Sequence, residues 1–253
     1  MKRFLFACTV ALAACSPHGA APSNAASAAT TRLEALLADP SDTHCTADRA
    51  WCATTDADAT TFAFSFHHKQ VGVFHLSDGG HEIWPQIIRS PRADGGEDAL
   101  VGVTHTDQQS YSGGGGQAVF VSLYPLTSNV VATTPPQAAL TFPASAALDI
   151  RACFSEADTR ARHDACSDQY NFTGALALDT SGTPAKLVLT TEATTYPGHL
   201  TRSEDNTHPL AASDLKTVRD ETCSYRRVFT RNASSHTYTP DAPLPACSDY
   251  LEP

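Results

Sequence analysis

The chain has 253 residues, 42% of them hydrophobic, and sets 17 Lys and Arg against 27 Asp and Glu for a net charge of −10. That acid excess excludes nucleic acid as a partner and polybasic docking on anionic lipid, both of which need clustered positive charge. It suits a basic protein partner or cations, and also simple solubility.

The first segment, "MKRFLFACTVALAACSPHG", has a basic start at Lys2 and Arg3 and an apolar run from Phe4 to Ala14. The run is too short to span a bilayer as a helix and has the proportions of an export leader. Leu12-Ala13-Ala14-Cys15 resembles the lipobox of bacterial lipoproteins. The resemblance implies cleavage after residues 1–14, thioether lipidation of Cys15 and acylation of the new N-terminus. Several acyl chains hold a protein on a membrane stably, whereas one does so only marginally. Ser16, rather than the Asp that commonly signals inner-membrane retention, implies an outer-membrane anchor with the body facing the periplasm. Cleavage would leave 15 basic against 27 acidic residues, a net charge near −12.

Residues 15–30 are almost entirely Ala, Ser, Pro, Thr, Asn and Gly and read as a flexible tether, leaving 31–253 as the body. Within "TRLEALLAD" (31–39), Leu33, Leu36 and Leu37 fall at i, i+3 and i+4, which predicts a short amphipathic helix. Strand patterns follow. In "TTFAFSF", Phe62, Phe64 and Phe66 alternate with smaller residues, and "QVGVFHL" and "ALVGVTHT" read alike, with turns at Gly79-Gly80 and Gly95-Gly96.

His67, His68, His75, His81 and His105 are dense here. On alternating strands His67 and His68 point to opposite faces, while His75 and His105 could share one with Asp78 or Glu82. No H-E-x-x-H spacing accompanies them, so no metal site is assigned. Asp56, Asp58 and Thr60 match D-x-D-x-T of aspartyl phosphotransferases, but "CATT" before them is no buried strand and the segment reads as a loop. The acidic loops "RADGGED" (92–98) and "SEDNTHP" (203–209) lack the residue order of a calcium loop.

Gly113 to Gly116 precede "QAVFVSLYPL", a strand rather than the helix of a phosphate-binding loop, and no Lys follows. The glycines therefore predict a hairpin loop needing positive φ, which only glycine adopts cheaply. Tyr111, Ser112 and Gly113 at its tip are the candidate binding residues. The Pro-rich run 133–146 is the best sub-boundary if the body divides in two. Segment 155–165 suggests a helix and 212–219 a turn. The strongest hairpin is 170–198, where two alternating runs flank Ser-Gly-Thr-Pro; 223–240 forms another. Ser213 and Lys216 match S-x-x-K, but Val218 breaks the companion K-T-G, and Ser213 reads as a helix N-cap.

Beyond Cys8 and Cys15, six cysteines remain: Cys45, Cys52, Cys153, Cys166, Cys223 and Cys247. In an oxidising compartment an even set reads as disulfides. Each neighbouring pair brackets a short polar segment, which predicts 45–52, 153–166 and 223–247, although six cysteines allow fifteen connectivities.

The pieces "YSGGGG", "LTTEATTYPG" and "CSYRRVF…PDAPLPACSDYL" resemble parts of functionally uncharacterised proteobacterial lipoproteins, a resemblance that carries no activity with it. The expected fold is mainly β: antiparallel hairpins in a disulfide-stapled sandwich- or barrel-like domain with one or two short helices. No catalytic residue, metal or cofactor is assigned. The expected role is a non-enzymatic binding module for a protein partner, such as an inhibitor or immunity protein. The alternative is a periplasmic hydrolase or metal-dependent enzyme with scattered His, Asp and Glu. Mass spectrometry of the exported protein should find a lipidated Cys15 at the N-terminus; an unmodified N-terminus elsewhere would contradict the lipobox assignment.

Overall fold

The computed structural model describes residues 30–76, 80–203 and 208–253. The leader, Cys15, nearly all of the tether, Asp78 and most of the 203–209 loop lie outside the described residues. In chain order the elements are β1 (Arg32–Ala35), β2 (Leu37–Ala38), β3 (His44–Cys45), β4 (Trp51–Thr55), β5 (Thr61–Phe66), β6 (Lys69–His75), β7 (His81–Pro91), β8 (Glu97–Tyr111), β9 (Gly114–Thr127) and β10 (Leu140–Arg151). They continue with α1 (Glu156–Ala161), β11 (Ser167–Asp179), β12 (Lys186–Tyr196), a 3-10 turn (Ala212–Asp214), β13 (Val218–Arg219), β14 (Arg226–Arg231), β15 (Tyr238–Pro240) and α2 (Ser248–Leu251).

The strands form two antiparallel sheets. A five-stranded sheet runs β2-β3-β4-β5-β6; a ten-stranded one runs β1-β7-β8-β9-β10-β11-β12-β14-β15, with β13 on β12. Leu33 of β1 packs in the same buried cluster as Leu176 and Leu178 of β11, so the larger sheet curls round its own apolar face. Its end strands β1 and β15 do not pair, so the sheet does not close into a barrel.

Period-two alternation explains how β7 and β8 are covered on both faces. Ile83, Ile87, Val101 and Val103 meet the aromatic face of the smaller sheet, built from Trp51, Phe62, Phe64 and Phe74. Trp84, Ile88 and Leu100 turn the other way, into the interior of the curl with Leu123, Phe142 and Leu189. A third cluster, around Tyr170, Phe172 and Tyr250, lies under the C-terminal segment.

The six cysteines pair as 45–52, 153–166 and 223–247. Cys45 and Cys52 are direct partners across β3 and β4. Cys153–Cys166 closes the loop carrying α1, together with a buried ion pair between Arg162 and Asp168. Cys223–Cys247 ties the C-terminal segment onto the third cluster.

The helix expected over 31–39 is two short strands instead. Residues 32–35 pair with β7 from Arg32↔Arg89 to Ala35↔Gln86. Leu33 and Leu36 enter different cores, while Leu37 is exposed. Nine residues are too few to sustain a helix in water, and the edge of β7 offers ladder partners to residues 32–35 while β3 pairs with 37–38. The 133–146 run leads into β10, paired with β9 on one side and β11 on the other. The short helix α2 had no periodicity to announce it.

Arg89, only 3% exposed, joins the two sheets. Its Nε and Nη2 donate to Glu97 Oε2 and Oε1 at 2.9 Å each, a bidentate pair. Its Nη1 donates to Asp48 Oδ2 at 2.8 Å and Glu34 Oε2 at 3.0 Å. Glu97 also accepts the indole N–H of buried Trp51 at 2.8 Å. Burial of Asp48 works to raise its pKa, but hydrogen bonds from Thr46, Arg89 and the Ala50 amide outweigh that and hold the carboxyl well below the usual range.

Removing one partner of a buried ionic cluster strands the others, so Arg89→Met should lower unfolding free energy in urea by about 3 kcal/mol. Asp48→Asn should cost no more than ~1 kcal/mol, because that side chain is half exposed and screened. The lowered Asp48 pKa makes its contribution complete above the unfolded carboxyl value near ~3.9. The contribution is lost as pH falls through the depressed folded value, so acid sensitivity below about pH 4 should be shallower in Asp48→Asn.

Candidate functional site

Three of the four glycines are strand, and only Gly113 belongs to the turn. β8 ends at Tyr111, Ser112 and Gly113 make a two-residue turn, and Gly114 already pairs with Tyr111. Gly114, Gly115 and Gly116 lie between β8 and β10, so their amides face ladder partners rather than an anion. Of the four glycines, only Gly114 has a positive φ, +148°. A Cβ there would sit 2.3 Å from the Asp149 carbonyl oxygen, whereas one on Gly113 would meet only Tyr111 ring carbons at 3.6 Å. The expected need for positive φ is thus confined to one position, and crowding by β10 accounts for glycine there.

The tip is well presented. β8 pairs with β7 only as far as His81↔His105, so residues 107–111 project beyond it, braced by β9 on one edge. Gln108, Gln109, Ser110 and Tyr111 are exposed there, Tyr111 at 45% of its area. The Arg151 amide donates to the Gly113 carbonyl at 2.7 Å, fixing the turn to β10.

The histidines disperse. His67 and His68 occupy the β5–β6 turn with φ of +46° and +64°, rather than opposite faces of a strand. Positive φ at both central residues is the hairpin turn that matches strand twist, and His tolerates it better than most side chains. His75 contacts Thr61 Oγ1 at 3.2 Å on the smaller sheet, away from His105. His105 instead stacks on His81 at 4.8 Å and sets Nε2 2.8 Å from Asp107. Its Nδ1 is enclosed, so the His105–Asp107 pair opens no position to a substrate. Among the described residues no group of three His, Cys, Asp or Glu is placed to hold a metal ion.

The other motif matches are local structure. Asp56 accepts the amides of Thr60 (2.8 Å) and Thr61 (3.0 Å) as the anchor of the β4–β5 turn. Those backbone bonds, with the two threonine hydroxyls, lower its carboxyl to about 2. Ser213 is not the N-cap; Ala211 is, and its amide donates to Asp214 at 2.9 Å. Arg92 pairs with Asp94 at 2.6 Å inside the 92–98 loop. Among the described residues, every aspartate with a displaced pKa is displaced downward, the direction of a structural acceptor rather than a general acid at neutral pH.

Sequence reasoning missed a cleft of about 380 Å³ where the interior of the curled sheet opens beside the β14–β15 hairpin. Ile88, Leu100 and Pro125 line its apolar side, and Arg92, Asp98, Arg231, His236 and Tyr238 its polar side. Burial pushes the Tyr238 phenol up while the neighbouring Arg231 charge works against it, leaving a protonated donor at neutral pH. Alternation along β7, β8 and β9 could have assigned the apolar members to one face; nothing local links them to residues 231–238.

No protein-family model, curated protein or solved structure matches the chain. From the crowding at the tip, Gly114→Ala should destabilise by roughly 1–3 kcal/mol through overpacking against β10, and Gly113→Ala by a few tenths at most. Equal effects of the two substitutions in urea unfolding would contradict the contrast between a crowded Gly114 and an open Gly113.

Proposed function

We propose that the protein is a non-enzymatic binding module held at the outer membrane through lipid on Cys15, its body facing the periplasm and contacting a protein partner through the β8–β9 tip. The observation that carries the reading is the tip itself, a hairpin braced by β10 that presents Gln108, Gln109, Ser110 and Tyr111 beyond the reach of β7. A rigid scaffold offering an exposed aromatic among amide side chains lowers the ordering cost of association, and tyrosine is among the commonest residues to dominate interface energy.

The net charge of −10 favours a basic partner by steering its approach. An inhibitor or immunity protein against a periplasm-acting toxin or wall hydrolase is the partner relation these features suit. The hydrolase alternative has less support, since the His105–Asp107 pair turns its remaining nitrogen inward.

Affinity capture from envelope extract with the full chain should recover a discrete partner, and Tyr111→Ala should weaken that complex by tenfold or more. Recovery of no protein, or a Tyr111→Ala variant that binds as well as the parent, would overturn the proposal.

A further inference from the structure

The cleft between β7–β9 and the β14–β15 hairpin is independent of the tip and differs from it in chemistry. Its volume falls at the small end of the range of about 300–1,000 Å³ typical of small-molecule sites. One side is apolar, from Ile88, Leu100 and Pro125. The chain is strongly acidic, yet the charged groups lining this cleft are two arginines against one aspartate.

The arginines differ. Arg92 is already committed to Asp94 at 2.6 Å, with Asp98 at 3.5 Å. Arg231 has no carboxylate within 4.0 Å among the described residues; its side chain donates only to His236 Nδ1, at 3.1 Å. Arginine has no acceptor atom, so His236 must accept at Nδ1 and carry its proton on Nε2. A guanidinium with unspent donors, an imidazole N–H and the Tyr238 hydroxyl thus line one end of an apolar hollow.

We infer that this cleft binds a small amphipathic monoanion, its apolar body against Ile88, Leu100 and Pro125 and its carboxylate or sulfonate on Arg231. A planar guanidinium matches the two oxygens of such a group bidentately, and a charge-assisted pair is about twice as strong as a neutral one. Asp98, which also lines the cleft 3.5 Å from Arg92, disfavours a second negative charge, which selects a monoanion over a dianion.

The test uses the full chain and two matched probes, 4-phenylbutyrate and the uncharged 4-phenylbutanamide, in calorimetric titrations. The carboxylate should bind with one-to-one stoichiometry at least tenfold more tightly than the amide. Arg231→Gln should reduce it to the amide's affinity, Arg231→Lys should give an intermediate value, and the exposed Arg160→Gln should change nothing. Amide-resonance mapping on the unsubstituted chain, which does not depend on any variant folding, should confine shifts to the segments that line the cleft, residues 88–92, 98–100, 125–127 and 231–238. Equal affinity for both probes, shifts elsewhere, or no binding would overturn the inference.

Discussion

Arg89 is the constraint on which the rest of the structure depends. A guanidinium taken out of water must keep all its partners, and this one takes them from three separate stretches of chain: Glu34 on β1, Asp48 in the β3–β4 loop and Glu97 at the start of β8. Satisfying them together sets where β1 lies along β7, where β8 begins, and where the smaller sheet sits on the larger. The indole of Trp51 completes the arrangement by using the same Glu97 carboxylate, so the aromatic core between the sheets is tied to the ionic cluster at its edge. Apolar area supplies most of the attraction between the sheets, but it is non-directional; the ionic cluster supplies the register.

Both candidate sites inherit their geometry from that arrangement through one strand. β8 begins at Glu97 in the cluster, passes Asp98 and Leu100 in the cleft, and ends at Tyr111 on the projecting tip. Strand alternation separates the roles. Asp98 and Leu100 face the interior of the curl, while Ala99, Val101 and Val103 face the smaller sheet. Thr106 still donates to the Gly80 carbonyl at 3.1 Å; from Asp107 onward β9 is the one strand paired with β8 among the described residues, and the side chains become exposed. The ionic cluster, the cleft and the contact surface thus lie along the fifteen residues of one strand, half-buried at Glu97 and Asp98, buried from Ala99 to Val103 and exposed from Asp107 to Tyr111.

The features legible in the sequence are those written in local pattern. Phe62 and Phe64 announce β5 by alternation, the runs either side of Ser181-Gly182 announce the β11–β12 hairpin, and the spacing of the cysteines anticipates their pairing. Local pattern misleads where an outside partner decides. Leu33, Leu36 and Leu37 have helical spacing, yet the edge of β7 draws residues 32–35 into one strand and β3 draws 37–38 into another. His67 and His68 continue an apparent strand, yet they are the turn. Arg89 and its three carboxylates span residues 34–97, and the cleft joins residues 88–127 to 231–238. No periodicity connects such distant positions; only the folded sheet does.

Native-state hydrogen exchange on Arg89→Met tests the organising role of the ionic cluster most directly, because local opening reports which strands an interaction holds. If Arg89 fixes the smaller sheet to the larger, the amides of β4, β5 and β6 will lose protection together, while those of β10, β11 and β12 keep theirs. Uniform loss across both sheets, or protection unchanged in β4–β6, would contradict it and leave the apolar contact alone as the determinant of how the sheets meet.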